Sequence, residues 1–335
     1  MTDASLQEAP GAMPALTVSV ALATYNGAPY VEEQLRSILT QSHPPTELVV
    51  ADDGSTDGTV AIVREVAGEY PAVRLVVLEP GPTSLGVAGN FARAIAAASG
   101  DLVALSDQDD RWHQGRLEAL VARFAVDDDL LLLHHDAELV DAAGTPLGQR
   151  LLDWLRASAD ERRALVAGQA FGVYLRRNLA TGATVVFRRT LAESAFPVGE
   201  GWIHDEWLAI VAASLGGARL DERALVDYRQ HGGNQIGVAR PTPGYLVRRM
   251  LEPRGTRYEW LASRSAALVE RLEGLPVDVR LLDLARAKQR FESARAQYPA
   301  GRLARLRPVL RQRRDYARLS SQGSLDILRD LLHGA

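Results

Sequence analysis

DLVALSDQDDRW, Asp101–Trp112, joins an apolar run to three carboxylates, Asp107, Asp109 and Asp110, packed within four residues. Like charges crowded at a strand end repel each other and are costly unless something positive sits among them. The same apolar-then-polar pattern recurs upstream. TVSVALA (Thr17–Ala23), ELVVADD (Glu47–Asp53) and VRLVVLE (Val73–Glu79) read as short strands rich in β-branched residues. Between them, Ala28–Leu39, Asp57–Tyr70 and Gly86–Ser99 have helical spacing; in the first of these Tyr30, Val31, Leu35, Ile38 and Leu39 make the apolar stripe. Strands alternating with helices predict an α/β fold, a mostly parallel Rossmann-like sheet with helices on both faces. Such sheets bind ligands at the carboxyl ends of their strands. Three of the four strand ends carry polar loops there: TYNG, DDGSTDG and SDQDD.

Downstream the pattern loosens. Asp129–Asp136 and Ala183–Arg189 read as buried strands, and His134 and His135 belong to the first of them. Gly201–Gly216 becomes helical near Asp205, and Ala224–Gly237 is a strand running into a Gly-rich loop. After Pro241–Gly244 the spacing is helical to the end, with Arg302–Leu310 and Ser324–Leu332 amphipathic. The expected organisation is a short disordered leader (1–16), an α/β domain (17–239, with halves 17–110 and 111–239) and a basic helical C-terminal region (240–335).

The 335 residues are 47% hydrophobic, enough for a full core, and include no cysteine. Disulfides and thiolate metal sites are therefore excluded. No apolar run reaches the roughly 18–20 residues that span a bilayer, and the polar start lacks the basic-then-apolar order of a signal peptide. A cytoplasmic protein is expected. The net charge of −4 conceals a split: Arg240–Ala335 holds 20 basic against 10 acidic residues, and the rest holds 18 against 32. The basic region could meet the inner face of an anionic membrane; the same arginines could equally form solvated helices against the acidic body.

The polar strand ends suit a nucleoside diphosphate. Its phosphates need a divalent cation, and Mg²⁺ or Mn²⁺ takes oxygen ligands while keeping positions open for phosphate oxygens. In an extended segment Asp107 and Asp109 point the same way; the plainer reading is a charged turn with Asp110 capping the next helix. Asp53 could accept a hydrogen bond from the N3–H of uracil or thymine, Tyr25 could pack on the base, and Asp57 caps a helix. Asp205 beside Trp202 and Trp207 would have a raised proton affinity, as a general base needs; it could also be an N-cap. His231 could be a loop histidine bonded to backbone.

SVALATYNGAPYVEEQLRSILTQS, VVADDGSTDGT and LSDQDDRW, in that order, resemble family 2 glycosyltransferases of the GT-A fold over roughly Thr17–Gly237. SDQDDRW together with YRQHGGN is similar to the subgroup described as rhamnosyltransferases, which use dTDP- or UDP-linked sugars. The resemblance implies an inverting, metal-dependent transfer to a glycan or lipid-linked hydroxyl, with no nucleic acid involved. It assigns Ala23, Tyr25 and Asp53 to the nucleotide, Asp107 and Asp109 to ribose and metal diphosphate, and His231 to the diphosphate or metal. Asp205 takes the base position, with His204, Glu206 and Gly182 in the acceptor or donor-sugar region. One departure is the GGN of Gly232–Asn234, where many relatives have a second polar residue. A sugar nucleotidyltransferase would carry a basic Gly-rich signature after its first strand, and TYNGAPYVEE has no basic residue. A non-catalytic nucleotide-sugar-binding scaffold would have no need for Asp107, Asp109 and Asp205.

Overall fold

The computed structural model describes residues 16–81, 83–232 and 256–332. The Gly-rich loop beyond Gly232 and the start of the basic region at Arg240 lie outside them, as does nearly all of the leader.

The strands are β1 (Val18–Thr24), β2 (Glu47–Asp52), β3 (Arg74–Leu78), β4 (Leu102–Ser106), β5 (Arg111–Trp112), β6 (Leu132–Val140), β7 (Pro146–Arg150), β8 (Val185–Arg188) and β9 (Ala218–Arg229). They form one sheet in the order β3-β2-β1-β4-β8-β6-β9-β5, with β7 paired to β6. β1 is parallel to β2 and β4, and β2 to β3. β8 enters antiparallel between β4 and β6, and β6 is again parallel to β9. The expected α/β sheet is therefore present, parallel in its first half, but it is mixed rather than mostly parallel: four strand pairings are parallel and four antiparallel, because β8, β7 and β5 enter the second half antiparallel to their neighbours. β2 and β4 are buried along their whole length, as strands covered on both faces must be.

Period-2 alternation divides the core into two layers. Ala21, Val49, Val103 and Leu105 face one side, where helix α3 (Gly86–Ala97) packs with Phe91, Ala94 and Ile95. Val20, Leu22, Val50 and Ala104 face the other, under α1 (Val31–Leu39), α2 (Thr59–Gly68) and α4 (Arg116–Val126). The buried helix His204–Ser214 joins the first layer.

Five C-terminal helices, among the described residues, cover Arg257–Glu273, Val279–Ala296, Arg302–Arg311, Arg313–Leu319 and Ser324–Leu332. They share the first layer's core through Leu268, Leu272, Phe291 and Tyr316. Arg264 fastens them to the body. Its guanidinium lies 3.8 Å from the Trp202 ring and 3.0 Å from Glu206, and its carbonyl accepts from Trp202 Nε1 at 2.8 Å. The short helices Leu151–Trp154, Ala159–Val166 and Phe171–Tyr174 were not expected. A capping box of Ser158 and Glu161 opens the second; Ser-x-x-Glu was the legible signal for it.

Candidate active site

The loops that follow β1, β2 and β4 lock onto one another before any ligand is considered. Gln108 donates to the Tyr25 carbonyl at 3.0 Å and accepts from the Tyr25 amide at 2.9 Å, tying the acidic loop to TYNG. A Cβ on Gly27 would fall 2.1 Å from Gln108 Oε1, so a side chain there would push the Gln108 amide off Tyr25. In DDGSTDG the two aspartates divide the work. Asp52 accepts from Thr24, Ser55 and the Gly54 amide and holds the turn. Asp53 faces the cleft and accepts from Ser84 at 2.6 Å and from the Leu85 and Gly86 amides at 2.8 and 2.9 Å, at the start of α3. Burial works against its ionisation, but these bonds outweigh it, and its carboxyl stays below the ordinary value. Asp57 turns the chain into α2 through Thr59 and accepts from the Ala28 amide at 3.0 Å.

Asp110 does not cap the next helix. Its Oδ1 accepts from the Arg229 amide at 2.9 Å, and the Arg229 side chain reaches the Asp109 carbonyl at 2.7 Å and Glu33 at 2.6 Å. The acidic loop is thereby pinned to the end of β9. From there His231 stacks on Tyr30 with centroids 4.6 Å apart and brings Nε2 to 2.8 Å from Asp109 Oδ2.

On the opposite wall, the helix His204–Ser214 begins after Ile203, which is extended. Asp205 sits in the first turn and is not the N-cap. Its Oδ2 accepts from the Gly182 amide at 2.9 Å and its Oδ1 from the Glu206 amide at 2.7 Å. A Cβ on Gly182 would stand 3.3 Å from His204 Nε2 and 3.6 Å from Asp205 Oδ2, so glycine keeps this wall close. His204 stacks on Phe91 with centroids 4.2 Å apart, and neither ring nitrogen has a hydrogen-bond partner.

These groups line one cleft of about 630 Å³ at the carboxyl ends of the strands. Ala23, Tyr25, Asp53, Asp107, Asp109, Gly182, His204, Asp205 and His231 all border it. Glu206 does not: it turns away to Arg264. Trp202 and Trp207 also lie elsewhere, and the aromatic beside His204 is Phe91. Asn90 and Tyr228 were missed as lining residues. Asn90 donates to the Ala51 carbonyl at 2.6 Å and leaves its buried Oδ1 unpaired; an amide in the alanine-rich turns of α3 was its only sequence signal.

Four carboxylates line this cleft, and no lysine or arginine among the described residues does. Burial raises the Asp107 carboxyl to about 7, with the Asp109 and Asp205 charges adding to the shift. Burial likewise raises Asp205 to about 6, against the pull of the Glu206 and Gly182 amides. Burial pushes His204 down to about 3, so it is neutral. Among the described residues no group of three or more His, Asp or Glu side chains could enclose a metal ion. The Asp109–His231 pair with Asp107 nearby instead offers oxygen and nitrogen donors on one side only. Such a set fits a cation that completes its shell with ligand oxygens and water.

Residues 19–181 match the family described as glycosyl transferase family 2. An uncharacterized glycosyltransferase of Nostoc sp. is 28% identical over 224 residues, 65% of this chain and 66% of that protein. The dTDP-rhamnosyl transferase RfbG of Shigella flexneri is 27% identical over 226 residues, 65% of this chain and 74% of its own. The chain spans about half to three quarters of the length of the curated relatives it matches. The mannosyltransferase PcManGT from Pyrobaculum calidifontis, solved with GDP-Man and Mn²⁺, superposes with a TM-score of 0.53 at 22% identity, over 97% of this chain and 87% of that one. That likeness concerns the GT-A fold.

Proposed function

We propose that this chain, whose residues 19–181 match the glycosyl transferase family 2 model, is an inverting, metal-dependent glycosyltransferase acting from a nucleoside-diphosphate sugar onto a hydroxyl of a glycan or lipid-linked acceptor. The donor favoured is a dTDP- or UDP-sugar, with rhamnose first among the sugars, and the named relative from Shigella flexneri supports that choice. The observation that carries the reading is a cleft with four carboxylates and, among the described residues, no lysine or arginine on its walls. Among the described residues no protein cation meets the charge that a diphosphate brings, which favours entry together with a metal ion.

Tyr25 and Ala23 border the base, and the ionised Asp53 accepts from its N3–H. Asp107 meets the ribose. Asp109 and His231 would hold Mg²⁺ or Mn²⁺, which when bound neutralises the diphosphate and the charge growing on it as the sugar leaves. Asp205 takes the proton from the acceptor hydroxyl as that oxygen attacks the anomeric carbon from the face opposite the diphosphate. Burial suits it to the task, because a base poised near 6 is both ionised at neutral pH and more basic than an ordinary carboxylate. His204 is neutral and unpaired, so it can donate to or accept from a sugar hydroxyl beside Asp205. Glu206 supports the helix from behind through Arg264.

Peripheral contact with a membrane through the basic C-terminal region, at the cytoplasmic face, belongs to the same reading. Among the described residues no helix is long and apolar enough to cross a membrane.

The test is slow hydrolysis of dTDP- and UDP-sugars by the protein without acceptor. It should require Mn²⁺ or Mg²⁺ and stop in excess chelator. Asp109→Ala should abolish both this hydrolysis and the metal-dependent rise in melting temperature that a bound nucleotide causes. Undiminished turnover in chelator, or in Asp109→Ala, would overturn the metal reading.

A further inference from the structure

The excess of positive charge in the C-terminal region is not spread evenly. Arg305 is wholly buried and donates to the carbonyls of Pro299, Ala300 and Asp330. Lys288 and Arg295 are buried on Glu292 and Asp330. These cations are spent inside the helical bundle. Six others, Arg302, Arg307, Arg311, Arg313, Arg314 and Arg318, are exposed on the two consecutive helices Arg302–Arg311 and Arg313–Leu319. Among the described residues none of the six is in an ion pair, and Asp315 is the one exposed acid on those two helices.

Leucines stand among them in the open. Leu303, Leu306 and Leu310 are 83, 42 and 61% exposed, whereas Arg305 and Val309 are the buried residues of the same helix. The spacing i, i+3, i+7 makes one stripe. The helix Ser324–Leu332 packs against this one and repeats the arrangement, with Leu325, Leu328 and Leu332 at 52, 42 and 43% exposure. Two adjacent amphipathic helices thus turn leucines outward, where a helix supporting only its own domain would turn polar groups.

We infer that this face docks on an anionic lipid surface, the leucines entering the acyl boundary and the six arginines meeting the headgroups. Arginine suits this position because its aliphatic stem can lie along apolar surface while its charge reaches the phosphates. A binding face with both apolar side chains and cations is what peripheral attachment requires. A second copy of the chain is the poorer occupant, because it would oppose six arginines with the same six. The inference deepens the peripheral-contact reading above by giving it a surface. It does not depend on the reaction: flotation is measured without donor, and donor hydrolysis without lipid, so either can fail alone.

The full chain is floated with vesicles of phosphatidylcholine alone and of phosphatidylcholine with phosphatidylglycerol, at low and high salt. The wild type should float with the anionic vesicles at low salt and not with the neutral ones. Leu303→Glu with Leu310→Glu should lower that binding about tenfold or more, and so should Arg302→Gln with Arg307→Gln and Arg311→Gln. All these positions are exposed, so the melting temperature should not move; Leu325→Glu with Leu328→Glu gives a second, independent disruption of the face. Equal flotation with both vesicle types, or full binding by the leucine variants, overturns the inference. So does a lipid-free self-association that the leucine substitutions abolish, which would make a second copy the occupant.

Discussion

In the C-terminal helices Glu292 and Asp330 are almost wholly buried, and each carboxylate is answered. Lys288 donates to Glu292 at 2.6 Å and Arg295 at 2.8 Å. Asp330 accepts from Arg295 at 2.7 Å and from the hydroxyls of Tyr258 and Tyr316. Burial opposes the charge on Asp330, yet the bonds and charge of Arg295 hold it below the ordinary carboxylate range. In the cleft, Asp107 and Asp205 are raised instead, and Asp205 has backbone amides and the Asn178 side chain for partners but no cation among the described residues. Both regions take carboxylates out of water. One neutralises them within the fold, and the other leaves them for something that arrives. Unanswered charge is a cost that a purely structural cluster has no reason to keep.

The largest effect expected from breaking this contrast is on turnover. Asp205→Asn keeps the amide contacts in outline and removes the base. Transfer should fall by about 10²–10⁴-fold while donor binding and melting temperature stay near wild type. Unchanged turnover with a working acceptor would reduce Asp205 to a group that merely ties Gly182 to the helix.

Arg295→Met should do the converse. It strands Glu292 and Asp330 with a single cation between them, and removing one partner of a buried pair costs about 3–5 kcal/mol of stability. Denaturant unfolding would measure the loss. The rate per folded molecule should not change; a rate that fell with the helices intact would mean that the cluster acts on the cleft.

The smallest effect is on pH dependence, and the two regions should move differently. Asp205 works ionised, so kcat/KM should fall about tenfold per unit as pH drops below about 6. Stability should not follow. A group raised in the folded state takes up its proton before the unfolded chain does, at an ordinary value near 3.9. Asp205 therefore adds stability as pH falls from about 6 towards about 4. Asp330 is lowered, so its contribution is intact above the ordinary value and is lost only as pH falls through its own, lower one. A melting temperature that dropped in step with the rate between pH 7 and 5 would assign the acid limb to unfolding.

Much of the first half was readable because local rules and tertiary outcome agree there. Apolar runs of strand length, helical spacing between them and polar residues at their ends marked β1, β2 and β4 as strands of a parallel sheet, and they do pair in parallel. The second half resisted because β8 enters antiparallel and β5 is a two-residue strand completed by β9. Pairing across more than a hundred residues leaves no periodic trace. The role given to Asp110 failed for that reason: its partner is the amide of Arg229.

By itself the sequence determined which residue types stand at the strand ends, and so the chemistry on offer: carboxylates, an imidazole, an aromatic and glycines in tight turns. It also determined that the C-terminal region is basic and helical in spacing. The tertiary structure decided which of these charges are answered. Composition counts Arg305 and Arg302 alike, but one is wholly buried on carbonyl oxygens and the other faces water. It likewise sent Glu206 to Arg264 and left its neighbour Asp205 facing the cleft. Adjacent residues on a helix point about 100° apart, so which of them reaches a partner is set by what packs against each side.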